Sequence, residues 1–335
     1  MAKVIANKGT VTLDQVAAAA KVSPATVSRF LNTPGVVAPE TAERIREAVE
    51  SLGYIPNLLA GGLASSRSRL VAVMIPALSG SIFVDMIEAM VEELSRHGYV
   101  VMLLVTGLKL ETPAALVRAA LGRRPEAVVV TGALDEATRG LLRKSGASVI
   151  ELWDLPEAPV DVAIGFSHYG VGEALARHVH ERGYRAPHLL MSAASRAGLR
   201  RQGFLDSWRA LGGAEPAFTE VGTAGTLGDA HAFVDAMLAN SARPDVVVCG
   251  SDLLAFGVEG EARARGLQVP GELAITGFGN ARLSQDAIPP ITSVAIDGTR
   301  VGRELATLLG ERSGKRDGNS RSIDVGFELI VRGSS

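Results

Sequence analysis

Apolar and polar residues along the chain follow two rhythms that change over near residue 70. Between residues 12 and 52 the apolar positions recur at helical spacing; beyond 70, short apolar runs of strand length alternate with amphipathic stretches. Thr12-Leu13-Asp14-Gln15 has the form of a capping box and predicts a helix running on through Val16 and the alanines behind it. Lys21-Val22-Ser23 interrupts it. Pro24 stands where a second helix can start, since the N–H it lacks would find no helical partner there, and that helix extends to Asn32. A third is expected over about 40–52, amphipathic through Ile45, Ala48, Val49 and Leu52. Leu13, Val16, Ala17, Val22, Val27 and Leu31 form the expected core of a small bundle, leaving Ala25, Thr26, Ser28 and Arg29 on the other side.

In the second rhythm the strand-length runs fall at 70–75, 100–105, 127–131, 148–152, 188–191, 245–249 and 273–276. Helical stretches lie between them at 84–96 and 113–121, and near 170–182, 200–211, 228–240 and 252–265. Such alternation predicts parallel, doubly wound sheets, and two sets of strands predict two lobes.

Composition sharpens this picture. A chain of 335 residues is long for one folding unit. With 47% apolar but only 4% aromatic residues, its core must be built mostly from Ala, Val and Leu, which suits helices on parallel sheets. The net charge of −2 announces no polyanionic partner, but its distribution is uneven. Residues 1–69 hold eight Lys or Arg against five Asp or Glu, while the remainder holds 26 against 31. A basic end on an acidic body is a weak sign of a nucleic-acid-binding head. Cys249 is the only cysteine, which rules out an internal disulfide, and its apolar run marks it as a small core residue. No signal peptide or membrane span is expected, because Lys3, Asn7, Lys8 and Thr10 break the N-terminal stretch and no long apolar run follows. The cytoplasm is the expected location.

The outward face of the second helix carries small, hydroxyl and Arg side chains. Hydroxyls reach phosphates, and Arg can pair bidentately with guanine in a major groove. The same spacing also fits a bundle whose polar face is merely solvated. The residues themselves then narrow the choice. Val11 to Ala17, Val22-Ser23, Thr26-Val27-Ser28-Arg29-Phe30-Leu31-Asn32 and Leu52-Gly53-Tyr54-Ile55-Pro56-Asn57 together resemble the headpiece and hinge entry of the LacI/GalR repressor family. The resemblance runs nearly the whole length. Leu58 to Ser65, Gly165 to His168 and Ile323 to Leu329 look most like its gluconate-operon-repressor branch.

The resemblance implies an all-α helix-turn-helix headpiece over residues 1–56, a hinge helix or linker over 57–69, and an α/β periplasmic-binding-protein-like body over 70–335. Its two doubly wound parallel-sheet lobes would comprise about 70–165 with 298–323, and about 166–297 with 324–335, joined by three crossings. It implies DNA contacts at Thr12, Pro24, Ala25, Thr26, Ser28, Arg29 and Asn32, then Asn57 and Leu63 in the hinge. Pro24 and Ala25 would set operator preference through apolar contact, Arg29 would read a base, and Thr26 and Ser28 would anchor phosphates. Leu63 would wedge into the minor groove. Gly61-Gly62 cost a helix about 1.5–2 kcal/mol relative to alanine, so the hinge is expected to fold only on the operator.

Ligands of open α/β sheets bind beyond the carboxyl ends of strands. The expected effector site therefore comprises Ser79, Ser81, Phe83, Trp153, Asp154, Phe166, Arg200, Ser251, Asp252 and Asn280. Arg200 opens an Arg-x-x-Gly-aromatic signature at the position that, in the family, grips effector oxygens. Where the family commonly offers Gly-Phe-Asp-Asp, this chain reads Gly277-Phe278-Gly279-Asn280. Losing that acid while Arg200 stays favours an anionic effector, a sugar acid such as gluconate. A neutral sugar or sugar phosphate remains the alternative, as does corepression. The expected partners are a pseudo-palindromic operator, the effector and a second copy of the chain in a dimer, for which residues 83–97 are the candidate surface. A dimer is favoured over a tetramer because the sequence stops shortly after its last strand. No cofactor, metal or enzymatic activity is expected. Gly277-Phe278-Gly279 lacks the third glycine of a dinucleotide loop, Gly165-x-Ser167 lacks the closing glycine of a nucleophile elbow, and His178 and His180 point to different helix faces. A transport solute-binding protein would have a signal peptide and no headpiece.

Overall fold

The computed structural model describes residues 11–55, 68–78, 83–107, 113–192, 195–222, 225–312 and 320–335. The chain divides into two compact units, residues 1–68 and 69–335. Asn57, Leu63, Ser79 and Ser81, and the hinge glycines, lie outside the described residues.

In the first unit α1 (Leu13–Ala20), α2 (Pro24–Asn32) and α3 (Pro39–Leu52) follow the expected boundaries, with a 3-10 turn at Pro34–Val36. The capping box is complete: Gln15 N donates to Thr12 Oγ1 at 3.4 Å and Thr12 N to Gln15 Oε1 at 2.8 Å. Lys21, in the left-handed region at φ 54°, ends α1, and Ser23 caps α2 by accepting from Thr26 N at 3.2 Å. Val16, Ala17, Ala20, Val27, Ile45 and Ala48 are buried between the helices, with Leu13, Val22 and Leu31 packed against them. Leu52, expected inside, is 37% exposed, since it ends α3 just before the left-handed Gly53.

The second unit contains two six-stranded sheets. The first joins β1 (Leu70–Ile75), β2 (Val100–Val105), β3 (Ala127–Val130), β4 (Ser148–Leu152), β5 (Val162–Gly165) and β11 (Arg321–Asp324), in the order β11-β5-β4-β3-β1-β2, all parallel. The second joins β6 (Pro187–Ser192), β7 (Ala217–Val221), β8 (Val246–Cys249), β9 (Ala274–Phe278), β10 (Thr292–Ala295) and β12 (Glu328–Ile330), ordered β12-β10-β9-β8-β6-β7, with only β12 antiparallel. One doubly wound topology is thus used twice. Residues 166–167, 296–297 and 325–327 carry the chain between the sheets.

Five strands lie outside the sequence-based expectation. Those at 217–221, 321–324 and 328–330 are sheet edges with polar residues, and β5 is only four residues long. In β10 the buried Thr292 and Ser293 mask an interior strand. Their hydroxyls are satisfied by Arg332 N at 2.9 Å and Asp252 Oδ1 at 2.6 Å. Cys249 is buried, as its apolar run suggests.

Helices α4 (Val84–Arg96), α5 (Ala114–Leu121), α6 (Glu136–Lys144), α7 (His168–Glu181), α8 (Ser195–Ala210), α9 (Leu227–Ala239), α10 (Asp252–Ala264), α11 (Arg282–Asp286) and α12 (Gly298–Arg312) cover the sheets. The closest pair is α7 with α8. A Cβ on Gly172 would fall 2.0 Å from the carbonyl oxygen of Arg200, and one on Gly203 would fall 2.0 Å from that of Tyr169. Both obstacles are backbone, which cannot swing aside as a side chain can.

We expect Gly203→Ala to destabilise the body. The alanine would gain about 1 kcal/mol of helix propensity. Forcing the two helices apart costs about 1–3 kcal/mol or more, so the clash wins. A lower urea midpoint at unchanged m-value is the expected result.

Candidate functional site

Two places in the structure offer chemistry, one in each unit. On α2, Pro24, Ala25 and Arg29 are exposed, and so is Thr12 at the cap of α1. Thr26 and Ser28 are half-buried, and Thr26 Oγ1 lies 2.8 Å from Ser23 Oγ. Asn32 is the last residue of α2. Residues 24, 25 and 29 thus stand clear of the bundle core on one short helix, while residues 26 and 28 lie closer to it.

In the body, the carboxyl ends of β4, β5, β6, β8 and β9 bring together a group of aromatic and charged side chains. Trp153, just past β4, is buried and takes φ 84°. A bulky residue in that region is strained by about 1–3 kcal/mol and is held there by its surroundings. Phe83, Phe166 and Phe278 surround its indole edge-on at centroid distances of 4.6, 5.1 and 6.2 Å. Its Nε1 is buried and has no hydrogen-bond partner among the described residues. Leaving such a donor unpaired costs about 1–3 kcal/mol.

Arg200, on α8 behind β6, is buried with its guanidinium 4.1 Å from the centre of the Phe278 ring. Nη1 donates to His168 Nδ1 at 3.1 Å and Nη2 to Gly250 O at 3.4 Å. Gly250 follows β8, so this contact bridges the point where the second sheet's strand order reverses. An arginine has only donors, so His168 Nδ1 must accept and the ring proton sits on Nε2, which donates to Trp153 O at 3.0 Å. His168 is therefore neutral. Burial, then the charges of Arg200 and Arg196, push its pKa down to about 3. Burial, reinforced by the nearby Arg196 charge, lowers that of Arg200 to about 9.

Arg196, one turn before Arg200, donates from Nε to Asp154 Oδ2 at 3.2 Å. Asp154 also accepts from Leu155 N at 3.1 Å through Oδ1. Gly165 permits this arrangement, since a Cβ there would lie 2.4 Å from Asp154 O.

The remaining expected residues are placed differently. Ser251 caps α10, accepting from Leu254 N at 3.3 Å. Asp252 is buried, with Oδ1 accepting from Ser293 Oγ at 2.6 Å and Oδ2 from Ala281 N at 2.5 Å. Burial raises its pKa against those hydrogen bonds. Asn280, at φ 53°, accepts from Arg332 Nη2 at 2.6 Å through its side-chain oxygen. These three brace the loops behind β8 and β9, whereas Phe83, Trp153, Asp154, Phe166 and Arg200 converge. His168, Arg196 and Phe278 join the cluster although none of them is among the site residues expected from the sequence. Arg196 was obscured because the apolar pattern placed the helix start near 200 rather than at 195. Among the described residues no group of His, Cys, Asp or Glu could hold a metal, and no helix is long and apolar enough to cross a membrane.

A three-helix unit with Arg29 open on its second helix, and a two-sheet body with a charged, aromatic-lined site, fit a ligand-responsive DNA-binding regulator, the class that the comparisons show. Residues 12–57 match the model of bacterial regulatory proteins of the lacI family, and residues 176–335 that of a periplasmic binding protein-like domain. The chain is 32% identical to the HTH-type transcriptional regulator GntR of Pseudomonas aeruginosa, over 98% of this chain and 96% of that protein. A LacI family transcriptional regulator from Silicibacter pomeroyi superposes with a TM-score of 0.80 at 28% identity, over 97% of this chain and 99% of that one. The lac repressor dimer bound to operator and the anti-inducer ONPF shares the fold, with a TM-score of 0.82 at 23% identity over 97% and 99%. The chain belongs to the LacI family. It is a DNA-binding transcription regulator and not an enzyme.

Burial lowers the pKa of His178 and His188 as well as His168. The unfolded chain, with histidines near 6.5, then binds more protons than the native body at mildly acidic pH. The His168 contribution is therefore fully present above pH 6.5 and declines as pH falls toward about 3, by at most about 1.4 kcal/mol per pH unit, and His178 and His188 act in the same direction. Asp252 has the opposite sign, so the variant comparison isolates His168. The urea-midpoint difference between pH 7 and pH 5 should be smaller in His168→Gln than in the wild type.

Proposed function

We propose that the chain is a cytoplasmic repressor that binds a pseudo-palindromic operator as a homodimer and is released by a sugar acid such as gluconate. The observation that carries the ligand class is the charge at the cleft. Among the described residues the carboxylate bonded to either guanidinium is Asp154, which pairs with Arg196, while Arg200 is bonded to neutral groups, His168 and Gly250 O, and the acid of Asp252 is occupied by the chain's own donors. One uncompensated positive charge, in a site that also holds an indole N–H unpaired among the described residues, suits a small carboxylate carrying hydroxyls. The aromatic rings offer apolar faces to its C–H groups. Similarity to regulators named GntR and IdnR supports the same class.

In this reading residues 1–56 bind DNA, 57–69 form the hinge and 70–335 sense the effector and dimerise. Arg29 reads a base edge, Pro24 and Ala25 make apolar contacts, Thr26 and Ser28 hold phosphates, Thr12 and Asn32 also contact the DNA, and Asn57 and Leu63 act in the hinge. The dimer is supported by an apolar edge. Strand β2 ends the first sheet with Val100, Leu103 and Val105 exposed by 55%, 44% and 49%. An open apolar edge invites pairing or cover, and α4 precedes it in the chain, with Val84 39% exposed.

Two outcomes follow. Arg29→Ala should lose about 1–3 kcal/mol of binding to its preferred operator and much less to a scrambled duplex. Fluorescence anisotropy at fixed salt measures both, salt being held because phosphate contacts make affinity depend on it. In the same assay gluconate should weaken operator binding about tenfold or more. An unchanged operator affinity in saturating gluconate would refute the sugar-acid reading while leaving the DNA-binding one intact, and a neutral-sugar response would replace it.

A further inference from the structure

The two guanidiniums in the cleft are not equivalent. Arg200 is committed to residues of its own surroundings: both terminal nitrogens are bonded, to His168 Nδ1 and Gly250 O, and its face lies on Phe278. Arg196 sits four residues earlier on the same helical face. Among the described residues its only hydrogen bond runs from Nε to Asp154 Oδ2, so the two-pronged outer edge of the guanidinium carries none. Both partners are reachable, with side chains 23% and 39% exposed.

The position of this pair matters as much as its chemistry. Asp154 follows β4 of the first sheet, and Arg196 opens the helix behind β6 of the second. The 3.2 Å ion pair therefore crosses from one lobe to the other. Asp154 is preceded in the chain by Trp153, whose buried Nε1 has no hydrogen-bond partner among the described residues.

We propose that Arg196 is the residue that reads the effector's charge. It gives up its single bond to Asp154 and pairs through its free edge with the effector's carboxylate, to which Trp153 Nε1 adds a third donor. Arg200, already oriented by His168, faces the hydroxyl-bearing part. This assignment rests on the sugar-acid reading above. Its physical ground is the difference between one N–H···O bond and a parallel, charge-assisted pair, which is both stronger and geometrically selective. A neutral polyol offers Arg196 nothing comparable to Asp154 and leaves the pair in place. An acid breaks it, so that the ligand rather than Asp154 becomes the bridge between the lobes.

The test compares gluconate with sorbitol, its uncharged counterpart, binding to the full chain. Affinities would be taken by calorimetry for the wild type, Arg196→Gln, Arg196→Lys and Asp154→Asn. Wild type should prefer gluconate. Arg196→Gln should reduce that preference about tenfold or more, Arg196→Lys, with charge but no fork, should restore part of it, and Asp154→Asn should strengthen gluconate binding by freeing Arg196. If Arg196→Gln keeps the wild-type preference, or if Arg196→Lys is no better than Arg196→Gln, Arg196 does not read the charge and the proposal falls while the sugar-acid reading stands. If the wild type itself binds sorbitol as well as gluconate or better, the sugar-acid reading falls and takes this assignment with it.

Discussion

A charged group can be sunk into a protein only where its surroundings are built to receive it, and in this body that group is the Arg200 guanidinium. Taking an arginine out of water is costly unless donors are bonded and the flat face is covered. Here a neutral imidazole, a strand-end carbonyl and the Phe278 ring supply those needs. The arrangement rests on the close approach of α7 and α8. Because Gly172 and Gly203 have no side chains, the two backbones come near enough for Arg200 on one helix to reach His168 at the head of the other. His168 in turn holds Trp153 O, at the end of a strand of the first sheet. A contact between two glycine-bearing helices thus fixes the geometry of a site shared by both lobes.

The same chain of contacts decides which charges are left for a ligand. Asp252 stands near the strand ends, but its oxygens are spent on Ser293 and on the backbone of Ala281. Gly277 makes room for that, since a Cβ there would meet Asp252 Oδ1 at 2.2 Å. Asn280 is likewise held by Arg332. The acid and amide that a sequence would offer as hydroxyl acceptors are therefore structural braces, and the polarity of the cleft is set by its arginines. Its aromatic side is equally determined. With aromatics at only 4% of the chain, four of them meet at the strand ends.

The headpiece could be read from the sequence almost residue by residue. Its determinants are local: a hydroxyl three residues before its amide partner, a proline at a helix start, apolar spacing within one turn. The body was legible in its alternation and in its buried runs, and less so where tertiary contacts override local pattern. Strand β10 is polar because Thr292 and Ser293 find partners far away in the chain. The site divides the same way. Arg200 announces itself through the glycine and aromatic that follow it. Arg196 carries no such mark, and its role depends on a residue 42 positions away on the other sheet. Trp153 could be named as a candidate, but nothing in its neighbours along the chain foretells a left-handed backbone or an unpartnered indole.

The paths between the lobes constrain what any ligand can do. The chain passes from sheet to sheet at 166–167, 296–297 and 325–327, and two of these crossings are tied together. Arg300, in the first turn of α12 behind residues 296–297, donates to Val325 O at 2.9 Å and Asp324 O at 3.4 Å. Gly326, at φ 66°, gives the third crossing its turn. The first crossing is itself part of the site, since Phe166 packs on Trp153 and Ser167 caps the helix that begins with His168. A change in the angle between the lobes has to be absorbed in these few residues. One that disturbed residues 166–168 would alter the imidazole that orients Arg200. Binding at the cleft and the relative setting of the lobes are therefore two readings of one geometry, and a ligand that binds one setting better must shift the balance toward it by that difference in affinity and no more.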